Sequence, residues 1–228
     1  MTGSAAYFRL EGALHPLPAW RAALWLAGQA PSMRRRLLGL GGVALSSSLA
    51  ERDPALTQRL AWSQLRGFST DRIAVLGEDW ARDRVLPEIV PEAQRLIDEA
   101  RARGHRLVLI AETIDAIADP VGQALGFDRV ISNALEMDDD HATGALREPR
   151  VGPEVDPRRV RELAASDAVD LARSCAYGSA RADQLLLSLV GLPCAVDPDR
   201  ELARVARDLD WPVVRTGRAP LRALEAPR

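Results

Sequence analysis

Short apolar runs alternate with stretches of helical spacing along most of this chain, and that alternation predicts an open parallel α/β sheet. Residues 5–10, 106–111 and 174–177 are apolar without a period of two and stop at small or polar residues, as strands buried on both faces do. Weaker strand candidates are 192–196, followed by Asp197-Pro198-Asp199, and 212–215. Helical spacing covers 91–103, with Ala93, Leu96, Ile97 and Ala100 on one stripe, and then 114–125, 158–165 and 200–210. A sheet of this kind binds ligands beyond the carboxyl ends of its strands.

Residues 15–90 interrupt the alternation. They carry helical spacing, many arginines and four of the five tryptophans, and they read as a helical insertion with a small core of its own built on Trp20, Leu24, Trp25 and Trp62. Residues 135–146 place an acidic turn between two short extended pieces, the pattern of a β-hairpin. From about Gly217 the chain reads as a loose tail.

Composition narrows the function classes. With 228 residues, 47% hydrophobic and 27% charged, the chain is one sizeable globular domain or a domain with an insertion. A net charge of -2 provides no basic field for nucleic acid. Two cysteines without CxxC spacing, and an N-terminus with no charged region leading into an apolar one, point to a reduced, cytoplasmic protein. The glycine-broken stretch 37–45 is far short of the roughly 20 residues that span a bilayer. All 30 basic residues are arginine, which excludes a Schiff-base or P-loop lysine and leaves cations only as clamps and counter-ions.

The motifs then carry a resemblance. Tyr7-Phe8-Arg9-Leu10-Glu11-Gly12-Ala13-Leu14 resembles the first motif of the haloacid dehalogenase superfamily, phosphoserine-phosphatase-like branch, in which an apolar strand runs into Asp-x-Asp-Gly-Thr. The run from Gly104 to Ala111 resembles the second-motif strand, Gly126-Phe127-Asp128-Arg129-Val130-Ile131 the element after it, and Tyr177-Gly178-Ser179-Ala180-Arg181-Ala182-Asp183 the fourth motif, Gly-Asp-Ser-x-x-Asp. The resemblance implies a Rossmann-like parallel core, residues 1–14 and 91–228, with a helical cap of the C1 type at 15–90. It also implies phosphoryl transfer through an aspartyl-phosphate with Mg²⁺ among first- and fourth-motif carboxylates.

Against that pattern the sequence departs at nearly every chemical position. Arg9 stands where the nucleophilic carboxylate belongs, Glu11 keeps a carboxyl at the general-acid position, and Ala13 replaces the usual threonine. Ala111 stands where a phosphate-binding hydroxyl belongs, with Glu112 beside it and Thr113 two residues on. Arg158 or Arg159 stands nearest the third-motif lysine, and spacing does not choose between them. Ser179 replaces a metal-binding aspartate while Asp183 remains. The expectation is a pseudoenzyme without a metal, in which Arg9 clusters with Glu11 and Asp183 in place of Mg²⁺.

Such a protein would act in binding or assembly, with a protein partner or as a homodimer. It would keep a small-anion pocket drawn from Arg9, Glu11, Glu112, Thr113, Arg158, Arg159 and Asp183. The alternative is a Mg²⁺-dependent phosphomonoesterase or phosphotransferase using Glu11 or Glu112 as a displaced nucleophile.

Other polar groups have plainer readings. Asp138-Asp139-Asp140-His141 is a solvated turn rather than a metal site, because consecutive turn residues diverge. His15 and His105 stand in no triad spacing, Cys175 and Cys194 are small buried apolar residues, and Arg34-Arg35-Arg36 is a solvated face rather than a membrane surface.

Overall fold

The structure is a computed structural model that describes residues 3–30, 54–152 and 157–217. In chain order the strands are β1 (Ala5–Arg9), β2 (Arg106–Ile114), β3 (Arg129–Asn133), a hairpin of β4 (Leu135–Asp138) and β5 (His141–Leu146), then β6 (Cys175–Gly178), β7 (Leu192–Val196) and β8 (Val213–Val214). Six of them form one sheet in the order β3-β2-β1-β6-β7-β8, every pair parallel. From β1 the chain builds to β2 and β3 on one side, then crosses to β6, β7 and β8 on the other. The carboxyl ends of β1 and β6 therefore flank the switch point of the sheet, where α/β folds open a crevice.

The helices between β1 and β2 are α1 (Ala19–Gly28), α2 (Pro54–Ser63), α3 (Thr70–Trp80) and α4 (Pro91–Ala102), followed after β2 by α5 (Asp115–Leu125) and later by α6 (Pro157–Ser166), α7 (Gln184–Leu187) and α8 (Arg200–Asp208). Strand alternation divides the core in two. Ala6, Phe8, Leu107, Leu109 and Tyr177 pack on one face with α4 and α5, and Ala5, Tyr7, Val108, Ile110 and Ala176 pack on the other with α6, α7 and α8. Phe8 stacks on Tyr177 at 4.2 Å and meets Phe127 edge-on at 5.6 Å, which ties β1 to β6 through aromatic contact.

Several expectations need correction. The helices of 15–90 have no separate core among the described residues: Leu26, Trp62, Leu65, Phe68 and Trp80 join the same apolar cluster as the first sheet face. Trp62 is fully buried, Trp20 and Trp25 lie partly buried against that cluster, and Leu24 is only half-buried. Strand β3 went unrecognised by pattern because Arg129, Ser132 and Asn133 dilute its apolar pair, which an edge strand tolerates. β2 runs three residues beyond the expected end, to Ile114, with its register on β3 shifted between Ile110 and Ile114. Arg34, Arg35 and Arg36 and the tail past Gly217 lie outside the described residues. No helix among the described residues is long and apolar enough to cross a membrane.

One contact sets how closely α3 sits on α5. Pro120 lies inside α5 and has no N–H, so the carbonyl of Ala116 loses its usual helical donor. Gly77 of α3 packs against that carbonyl oxygen, and a Cβ added at Gly77 would overlap it. Gly77→Ala therefore forces α3 and α5 apart, at a cost of about 1–3 kcal/mol. Denaturant unfolding of the variant should show that loss, and an unchanged midpoint would refute the close approach.

Candidate functional site

Arg9 is the last residue of β1 and its side chain is 2% exposed. On that strand it shares a face with Tyr7 and Ala5, so its guanidinium emerges at the switch point between the ends of β2 and β6. Its Nε lies 3.0 Å from Oδ1 of Asp183, and its Nη2 donates to Oε1 of Glu112 at 2.5 Å. The same Nη2 reaches the carbonyl of Gly152 at 3.4 Å. One guanidinium thus joins the loop after β6 to the end of β2.

Each carboxylate is also anchored to backbone. Oδ2 of Asp183 accepts from the amides of Ser179 at 2.7 Å and Ala180 at 3.0 Å. Gly178 makes room for this, because a Cβ there would press into the Asp183 carboxyl group. After β1 the chain turns at Gly12, whose φ of 89° suits glycine, and this turn delivers Glu11 to β2. Glu11 accepts from the amides of Glu112 at 2.9 Å and Thr113 at 3.1 Å. β2 reaches Ile114 through the pairing of Ile114 with Asn133 of β3.

Asn133 and Gln58 complete the frame. Both amide nitrogens donate to the carbonyls of Glu112 and Val151, at 2.7 and 2.8 Å from Asn133 and at 3.0 Å each from Gln58. Val151 N–H returns a 2.8 Å bond to Asn133 Oδ1. Sequence reasoning missed both residues; the only available signal was a polar Asn ending the Val130-Ile131 run.

The structure places the expected site residues unevenly. Arg9, Glu112 and Asp183 meet directly, whereas Glu11 was expected to pair with Arg9 and instead caps backbone amides. Ala111 is buried within β2, and the hydroxyl of Thr113 is buried with no hydrogen-bond partner among the described residues. Ser179 is buried, and its amide serves Asp183. Arg158 is exposed, and Arg159 turns to the carbonyl of Pro149 at 3.2 Å. The charge of Arg9 is flanked by the carboxylates of Glu112 and Asp183.

Outside the cluster, the Asp138–His141 pair closes the β4–β5 hairpin over Asp139 and Asp140. His15 is buried with Nε2 3.2 Å from the Arg84 carbonyl, and His105 bonds Ser4 Oγ. Cys175 and Cys194 are buried free thiols, and burial pushes Cys194 up to about 11. A cleft of about 510 Å³ opens between α3, α5 and the hairpin, and none of the Arg9 cluster lines it.

Burial dominates the electrostatics. It opposes the charge on Arg9, yet Asp183, Glu112 and Glu11 outweigh it and hold the guanidinium firmly protonated. Burial raises Glu11 and Asp183 above the usual carboxylate range, opposed in both by Arg9. Glu112 is pushed up to about 7, by burial first, against the pull of Arg9 and with the help of Glu11 and Asp183.

The donor set of the cluster does not fit Mg²⁺. Mg²⁺ demands octahedral oxygen ligands at about 2.0–2.1 Å. Here the facing oxygens of Asp183 and Glu112 are already held by a guanidinium, and Ser179 and Arg9 stand at the other two positions the resemblance assigns to metal. Among the described residues no three His, Cys, Asp or Glu side chains converge as a metal site requires.

The Glu112 shift fixes the sign of a pH effect. An acid raised by folding binds more protons in the native than in the unfolded state, so stability falls as pH rises from the ordinary carboxylate range through about 7. The contribution is on the order of 1–3 kcal/mol. Melting from about pH 5 to about pH 8 should show this decline, and Glu112→Gln should flatten it. An equal slope in the variant would assign the titration elsewhere.

Comparison with known proteins supplies the lineage. The profile of the haloacid dehalogenase-like hydrolases matches residues 8–188. The chain is 34% identical over 150 residues to the inhibition of morphological differentiation protein of Streptomyces azureus, covering 65% of this chain and 54% of that protein. It is 27% identical over 161 residues to a Mycobacterium tuberculosis protein named phosphoserine phosphatase, covering 71% and 52% respectively. A solved phosphoserine phosphatase, captured as a phospho-aspartyl intermediate analogue, superposes with a TM-score of 0.67 at 14% identity over 98% of each chain, which is a likeness of fold. The chain spans about half the length of the first curated relatives it matches. On motif order, sheet topology and profile together, it belongs to the haloacid dehalogenase-like hydrolase family.

Proposed function

We propose that this protein is a member of its family that has given up phosphomonoester hydrolysis and works by binding, as a pseudoenzyme in a protein assembly or a homodimer. The observation that carries the reading is Arg9, a buried guanidinium paired with Glu112 and Asp183 at the strand end where the family's nucleophilic carboxylate belongs. A guanidinium cannot attack phosphorus, and removing it would strand buried carboxylates without their counter-ion. We divide the chain into a core of 1–14 and 91–228 and a cap of 15–90, and its buried free thiols accord with a reducing cytoplasm.

A second reading is favoured by the phosphatase naming of relatives and by Glu112, whose side chain is 19% exposed while its partners are sealed. In it Glu112 is a displaced carboxylate in a phosphomonoesterase. A generic aryl phosphate and phosphoserine, assayed with and without Mg²⁺, separate the two. The pseudoenzyme reading expects no turnover above the buffer blank in either condition. Turnover that Glu112→Gln abolishes would overturn it in favour of the second.

A further inference from the structure

We propose that the cleft between α3, α5 and the β4–β5 hairpin binds an aliphatic polyamine, whose ammonium groups meet Glu78 on one helix and Asp115 and Asp119 on the other. The proposal is independent of Arg9, because none of its cluster lines the cleft. A volume of about 510 Å³ lies within the roughly 300–1,000 Å³ of small-molecule sites. Ile73, Ala74 and Glu78 form one wall at helical spacing, and Asp115, Ala116 and Asp119 form the facing wall. Leu135 and Met137 of β4 supply an apolar third wall. The walls are held by the protein itself: Gly77 packs on the Ala116 carbonyl, and the hairpin is tied to the start of α3 by bonds from Thr70 N–H to the Asp140 carbonyl at 3.0 Å and from Ala142 N–H to the Phe68 carbonyl at 2.8 Å.

Charge chooses the ligand. Three carboxylates line the cleft against one guanidinium, that of Arg147. Among the described residues none of these four groups enters an ion pair, whereas Asp79, next to Glu78, pairs with Arg82 at 2.5 Å. Asp115 spends one oxygen on the Ala116 amide at 2.8 Å. Asp115 and Asp119 stand at i and i+4 on α5, a like-charge spacing that disfavours the helix unless a cation joins them. Asp119 registers this, because burial first and then the Asp115 charge raise its proton affinity. A metal ion does not answer the need, since no three acidic, histidine or cysteine side chains converge among the described residues. Carboxylates on facing walls with apolar surface between them instead match ammonium groups separated by methylene chains, which bury their carbon against Ile73, Leu135 and Met137 while their charges stay at the carboxylates.

Isothermal titration of the full chain with spermidine at fixed ionic strength tests this, with putrescine, ammonium chloride, MgCl₂ and tri-arginine as comparison ligands. Spermidine should bind saturably at one site and more tightly than putrescine, while ammonium and Mg²⁺ at the same concentrations give no saturable heat. Glu78→Gln and Asp119→Asn should each weaken spermidine binding about threefold or more, and together about tenfold or more. Glu201→Gln, an exposed acid on α8 outside the cleft, should leave the affinity unchanged. Asp119→Asn removes a like charge from α5, so it should melt at or above the native midpoint, which separates lost binding from lost fold. Absence of saturable spermidine binding to the native chain would overturn the proposal, as would an affinity that survives the double substitution. Tighter binding of tri-arginine than of spermidine would overturn it in favour of a basic peptide. Phosphate-ester turnover bears on the reading of Arg9 alone and leaves this inference standing.

Discussion

Burying a guanidinium at the end of a parallel strand costs several kcal/mol in lost hydration unless carboxylates meet it with good geometry, and the switch point of this sheet is organised around that requirement. Asp183 and Glu112 come from the loop after β6 and the end of β2, on either side of Arg9, so the ion pairs also set how these segments approach β1. The carboxyl groups outnumber the cation, and burial answers the excess by raising their proton affinity.

Backbone amides do the rest. Each of Glu11 and Asp183 accepts two N–H groups that a strand end or loop would otherwise leave without partners. Gly12 and Gly178 are the two positions where this depends on glycine, one for its left-handed turn and one for the space beside the Asp183 carboxyl group. Asn133 and Gln58 extend the same logic to Val151, so that a residue of α2 and a residue of β3 share two carbonyl acceptors. The helices between β1 and β2 are thus fastened to the sheet by hydrogen bonds as well as by the common apolar core.

The family fold supports phosphoryl transfer in enzymes that keep its carboxylates, and the same scaffold here holds a salt-bridge cluster. Fold and chemistry separate because the sheet needs only apolar alternation and short turns, whereas the reaction needs particular groups at a few strand ends. Substituting those few groups leaves Phe8, Tyr177 and the two faces of the core in place.

By itself the sequence determined the parallel α/β class, the hairpin and β7 to the residue, because these follow from local apolar periodicity and order along the chain, whereas the motif positions of Arg9, Glu11, Ser179 and Asp183 came from its resemblance to the family. Edge strand β3 escaped that reading, since half-exposed strands dilute the apolar signal on which it relies. Only the tertiary structure decided which acid meets Arg9. Glu11 lies two residues from it and was the natural partner along the chain, yet the turn at Gly12 aims that carboxylate at the amides of β2, and Glu112, 103 residues away, takes the guanidinium instead. Pairing across parallel strands depends on register and on where each chain turns, and neither is written in the spacing of the residues that finally touch.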